Sequence, residues 1–133
     1  MIDAVLDSSA LIAFLRGEPA AELVGERLLR RATISAVNWA EVTAKAIDAG
    51  EPLESGIGRL MQEGGMGQLL EIAPFLQEDA ERSAALRKAT RAAGLSLGDR
   101  ACLALAQHLD RPAITADRAW LTLDLPIEVI AIR

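Results

Sequence analysis

The sequence predicts an α/β domain: a five-stranded parallel sheet sandwiched between helices. Three observations carry this. Short apolar runs that read as buried strands alternate along the chain with helical patterns, which indicates a parallel sheet covered on both faces. The 133 residues, 51% hydrophobic and 25% charged, suit one globular domain with its own core, taken here as residues 1–133. No linker, repeat or low-complexity tract divides the chain; the loosest stretch, Gly64-Gly65-Met66-Gly67, is too short to separate domains.

Ala4-Val5-Leu6 reads as a short buried strand ending on the carboxylate of Asp7. Ser8 to Leu15 continues as an apolar helix that stops near Gly17. Glu18 to Arg31 is amphipathic, with Leu23, Leu28 and Leu29 expected inward and Arg27, Arg30 and Arg31 near the helix end, where the dipole favours cations. Ala32 to Ser35 is a second strand, followed by a helix to about Ala49 with Gly50 as its stop. Pro52 suits the first turn of another helix, ending at the glycine cluster. Leu69 to Ile72 is a third strand, and Glu78 to Ala93 a long charged helix closed by Gly94. Leu97 to Leu109 is Ala/Leu-rich and apolar on most faces, so it is expected to be buried. Ala113-Ile114-Thr115 is the fourth strand, Asp117 to Leu123 a short helix and Glu128 to Ile132 the fifth strand.

Fourteen basic residues against nineteen acidic give a net charge of −5, so the usual basic footprint of a nucleic-acid partner is missing. Twelve of the fourteen are Arg, the better bidentate partner for phosphate and carboxylate. A single cysteine, Cys102, excludes an intrachain disulfide and a cysteine metal cage within this sequence; in its apolar helix it reads as a core thiol. A single histidine, His108, excludes a multi-histidine zinc site; late in the same helix, it reads as structural rather than catalytic. Asp3 and Asp7 interrupt the apolar start with no basic segment before it, so no secretory leader is expected. No apolar run approaches the roughly 18 residues of a membrane span. The expected compartment is the cytoplasm.

In parallel sheets of this kind ligands bind beyond the carboxyl ends of the strands. Asp7 follows the first strand there, with an N-cap as its equally good structural alternative, although Ser8 and Ser9 are also available as caps. Asp117 follows the fourth strand in the same way. Glu41 shares a helix face with Asn38 amid apolar Val37, Trp39, Ala40 and Val42; a lone helical Glu is more often a solvated one. Asp99, in the triplet Gly98-Asp99-Arg100, is spaced from Ser96 as a capping box, its favoured reading in isolation. Jointly the four acids are expected to converge on one pocket. Clustered carboxylates repel, a divalent cation removes that cost, and oxygen-only ligands select Mg²⁺ or Mn²⁺. Carboxylates holding two metals about 3.5–4 Å apart are the pattern of phosphodiester-cleaving nucleases. Setting these four aside leaves fifteen acids against fourteen bases, a nearly neutral remainder.

At these residues the sequence resembles the PIN-domain ribonucleases, and among them the VapC-type toxins of bacterial VapBC toxin–antitoxin pairs. Val5 to Ala13, Ser35 to Glu41, Leu95 to Ala106 and Thr115 to Trp120 are similar to the family's signature blocks, in the family's order and over essentially the whole chain. The resemblance implies that Asp7, Glu41, Asp99 and Asp117 are the metal-binding acids. It implies that Ser8 and Thr115 are the hydroxyl positions beside them, as possible phosphate or water contacts, with Arg100 and Arg118 adjacent. It further implies Mg²⁺-dependent hydrolysis of RNA by metal-activated water, with Mn²⁺ able to substitute, a cognate antitoxin and a homodimer. The apolar surplus on helices 18–31 and 35–60, including Leu53, Ile57, Leu60 and Met61, suits an antitoxin interface or simple packing on the sheet.

Three other readings remain open. A phosphoacceptor signalling module would phosphorylate an Asp after strand one, but Lys45 and Lys88 sit on helices rather than after a strand. A haloacid-dehalogenase-type phosphatase needs a second Asp where Ser9 stands. An inert binding module that kept the PIN fold is the third.

Overall fold

The structure of the chain, a computed structural model, describes residues 1–51 and 69–133. The helix expected from Pro52, the glycine cluster 64–67 and the apolar residues Leu53, Ile57, Leu60 and Met61 lie outside the described residues.

Five parallel strands form one sheet: β1 (Ala4–Leu6), β2 (Ala32–Ser35), β3 (Leu70–Ala73), β4 (Ala113–Thr115) and β5 (Val129–Ala131), in the order β3-β2-β1-β4-β5. The chain leaves the central β1 to build one half of the sheet, then crosses to build the other. The switch point therefore lies between β1 and β4, where Leu6 pairs with Ile114 and the Asp7 amide donates to the Ile114 carbonyl at 3.0 Å.

Helices α1 (Ser8–Leu15), α2 (Ala21–Leu29) and α3 (Ala36–Asp48) precede β3; α4 (Gln77–Ala85), α5 (Arg87–Thr90) and α6 (Leu97–Leu109) lie between β3 and β4. The two-residue alternation of the strands divides the core. Ala4, Leu6, Ile34 and Ile114 meet Leu11, Val24, Leu28 and Val42 on one face. Val5 and Ala113 meet Cys102, Leu103 and Trp120 on the other. Each large side chain so buried contributes about 1.5–3 kcal/mol. The sandwich expected from the sequence is the one found.

Two expectations are corrected. In α2 the inward ridge is Val24 and Leu28, four residues apart; Leu29 is 74% exposed and Leu23 37%. The single helix expected over 78–93 is two, broken at Leu86, and the hydroxyls of Ser83 and Thr90 bond back to the carbonyls four residues earlier, a contact that bends helices. The short helix expected after β4 is a 3₁₀ helix, Arg118–Thr122. The stops at Gly50 and Gly94 hold, both at φ 70°, where other residues are strained. Cys102 is buried as expected, whereas His108 is exposed in the last turn of α6. Among the described residues no helix is long and apolar enough to cross a membrane.

Candidate active site

Asp7 closes β1 and caps α1, its Oδ1 accepting from the Ala10 amide at 2.8 Å. The Ser9 hydroxyl donates to the same oxygen at 2.7 Å, and the Thr115 hydroxyl, from the end of β4, donates to Oδ2 at 2.5 Å. These hydroxyls are themselves oriented by β4's exit: the Ala116 amide donates to Ser9 Oγ at 2.9 Å and the Asp117 amide to Thr115 Oγ1 at 3.0 Å. Both strand ends of the switch point are thus tied through one carboxylate.

Asp7 is 3% exposed, and among the described residues no Lys or Arg bonds to it. Burial pushes its carboxyl up from 3.8 to about 6; the bonds from Thr115, Ser9 and Ala10 pull the other way, and the Asp99 charge adds to the rise. The buried Cys102 thiol is raised by burial first and then by the charges of Asp7, Asp99 and Glu41, so three of the four acids act on one interior atom.

Asp99 forms the capping box with Ser96, its Oδ2 accepting from the Ser96 amide at 2.9 Å. The same placement at the opening of α6 brings its charge to bear on Asp7, so the capping and site readings coexist. Glu41, on α3, has Oε1 bonded by Asn38 Nδ2 at 2.9 Å. Asp117 adjoins Thr115, but its exposed carboxylate caps the 3₁₀ turn through the Ala119 amide. Among the described residues no three acids, cysteines or histidines are gathered closely enough to enclose an ion. The acids share one end of the sheet without closing on a point.

The donor set nevertheless fits a hard cation. The four acids offer oxygen alone, no basic side chain among the described residues bonds the oxygens of Asp7, Glu41, Asp99 or Asp117, and Asn38 Oδ1 is buried beside Glu41 without a partner.

The neighbouring residues divide differently from expectation. From α1 it is Ser9 that reaches Asp7, one residue after the expected Ser8. Thr115, at the end of β4, reaches Asp7 from the other strand. Arg100 donates to the Ser83 carbonyl at 3.3 Å and Arg118 to that of Arg133 at 2.6 Å, so both tie chain segments together. His108 sits nine residues beyond Asp99 on α6, roughly 13 Å along the axis. Asn38 and Gly98 show in the sequence only as a helix-face neighbour and an odd helix opening; Ser9 shows only as an alternative cap.

The sequence profile of the PIN domain family matches residues 4–124. A toxin–antitoxin complex from Klebsiella pneumoniae contains a chain 26% identical, with a TM-score of 0.75 and 98% of each chain covered. VapBC2 from Rickettsia felis, bound to a promoter DNA fragment, gives 16% identity and a TM-score of 0.69, covering 96% of this chain and 97% of that one. The sarcin–ricin-loop-cleaving toxin VapC20 of Mycobacterium tuberculosis gives 10% identity and a TM-score of 0.64, covering 86% and 88%. No curated protein matches at a significant level. With the profile spanning nearly the whole sequence and the switch-point acids in place, this chain belongs to the PIN domain family.

Proposed function

We propose that the protein is a metal-dependent endoribonuclease, the VapC-type toxin of a type II toxin–antitoxin pair acting in the cytoplasm. One observation carries this reading: a buried Asp7 at the switch point, bonded by no Lys or Arg among the described residues, within the field of Asp99 and on the same end of the sheet as Glu41 and Asp117. The family match, and a 26%-identical relative from a toxin–antitoxin complex, support the toxin role and an antitoxin partner. RNA as substrate rests on the family resemblance, beside a neighbour of the same fold that cleaves the sarcin–ricin loop. A homodimer follows from the resemblance alone.

Asp7, Asp99 and Asp117, with Glu41 completing the set, would hold Mg²⁺ or Mn²⁺. Such an ion, when bound, polarises a phosphoryl oxygen and acidifies attacking water. The protein's own part is orientation. Thr115 and Ser9 direct their hydroxyls at Asp7, which fixes its two oxygens before any ligand arrives. At Asp99 the backbone amide of Ser96 holds one carboxylate oxygen, and the Ser96 hydroxyl accepts from the Asp99 amide. The phosphoacceptor alternative would need a lysine beside the acid, and among the described residues no Lys bonds Asp7.

The test is cleavage of RNA by the purified chain with Mg²⁺, with Mn²⁺ and with EDTA, beside Asp7→Asn. Cleavage that requires the ion and Asp7 is expected. Cleavage that survives both EDTA and the substitution would sink the reading.

A further inference from the structure

Glu41 is an exposed side chain on α3, and the repulsion between like charges favours its swinging away from Asp99. Something must hold it. Asn38, one turn earlier and 1% exposed, commits its side-chain amide nitrogen to this restraint. Nδ2 donates to Glu41 Oε1 at 2.9 Å and to the Gly98 carbonyl at 3.0 Å. The second bond crosses sixty residues of sequence and joins α3 to the first turn of α6, the turn that carries Asp99. The other end of the amide, Oδ1, is buried with no donor among the described residues. An apolar residue of similar size would avoid that penalty, so folding alone does not account for an asparagine here.

Gly98 supplies the complementary observation. It is buried inside a helix with no positive φ, where alanine is the better helix former. A Cβ at this position would stand 2.6 Å from both Glu41 carboxylate oxygens and 2.8 Å from their carbon. Nothing in the backbone asks for glycine; the carboxylate does. The obstructed group is the far end of a flexible side chain, so alanine displaces Glu41 without disturbing the helix.

We propose that Asn38 and Gly98 form a clamp that sets the Glu41 carboxylate against the opening of α6: Asn38 as a positioning residue, Gly98 as the gap that admits the carboxylate. The clamp rests on the reading of Glu41 as a site acid, and it fixes the spacing of Glu41 from Asp99 before an ion is present.

Mn²⁺ affinity, measured by calorimetry on the purified chain, tests it together with thermal melting. Gly98→Ala and Asn38→Leu are each expected to weaken Mn²⁺ binding by about 10–100-fold, the range seen when groups that orient metal ligands are removed. Gly98→Ala should melt at or above the wild-type temperature, which separates a displaced ligand from a damaged fold. In a Glu41→Ala background neither substitution should cost further affinity. Wild-type affinity in Gly98→Ala, or an undiminished further loss in the Glu41→Ala background, would overturn the clamp. If the wild-type chain binds no Mn²⁺, the metal-site reading fails, and the clamp is judged by the Asn38 side-chain amide in a nitrogen–proton NMR spectrum. Slowly exchanging amide protons that shift in Glu41→Ala support it; rapid exchange or indifference to Glu41 overturns it.

Discussion

Asp3 and Asp7 flank the same three-residue strand, β1, and the fold treats them in opposite ways. Asp3, at the amino end, is paired with Arg27 at 3.0 Å, with Asp3 and Arg27 side chains 29% and 25% exposed. Asp7, at the carboxyl end, is more deeply buried yet among the described residues receives only hydroxyl and backbone donors. Arg111 reinforces the amino end by donating to the Ile2 carbonyl at 2.7 Å. A carboxylate that serves the fold is neutralised by the fold. One kept unneutralised at a cost in stability marks a site whose counter-charge comes from elsewhere.

The largest expected effect comes from erasing one side of that contrast. Asp7→Asn keeps the cap on α1 and leaves Ser9 and Thr115 with partners, but removes the charge. RNA cleavage should fall on the order of 10³-fold, the scale of the several kcal/mol a metal supplies to a transition state, while the melting temperature at neutral pH holds or rises. A less stable variant that still cleaves RNA would reduce Asp7 to a helix cap.

The pH dependence sharpens the same point. Asp7's folded value, about 6, lies above its ordinary 3.8. Between those values the folded chain holds a proton that the unfolded chain has released. Its stabilising effect is therefore complete below about pH 4 and is lost as the pH rises through 6. The loss amounts to roughly 3 kcal/mol at most. Denaturant unfolding at pH 4.5 and 7 should show this decline in the wild type and lack it in Asp7→Asn. An equal decline in both would assign it to other groups.

On the proposed reading, Mg²⁺ would supply the missing counter-charge directly. At a hundred times its dissociation constant a single bound ion adds about 2.7 kcal/mol. Thermal melts should therefore rise with Mg²⁺ at pH 7.5 and respond far less at pH 4.5, where Asp7 is protonated. A rise of equal size at both pH values would place the ion away from Asp7.

The contrast also explains what is legible in the sequence. Strand alternation and the strand-end rule locate Asp7 and Asp117, because both signals are local. Helix-face spacing and the odd helix opening bring in Glu41 and Asp99; RNA and the toxin role come from the family resemblance alone. Leu29 departs from its expected inward place because the packed ridge is Val24 and Leu28, and the residue after Leu28 turns about 100° away from it. Ser9 is ambiguous against Ser8, since only the folded turn decides which hydroxyl faces Asp7. The bond from Asn38 to Gly98 joins residues sixty positions apart, and nothing local in either segment announces it.

The smallest effect belongs to the neutralised acid. Asp3→Asn removes one partner of a partly exposed pair, and such pairs contribute about 1 kcal/mol or less. Arg27 is a quarter exposed, so its guanidinium regains water when Asp3 is lost instead of being stranded as a buried charge. β1 itself keeps its ladder bonds, because the Asp3 amide still donates to the Arg31 carbonyl at 2.7 Å. The variant should therefore melt slightly lower, more visibly in low salt than in high, with RNA cleavage and Mn²⁺ affinity unchanged. If instead Asp3→Asn lowered metal affinity as Asp7→Asn does, the two ends of β1 would be electrostatically coupled, and the division between a structural and a functional carboxylate would fail.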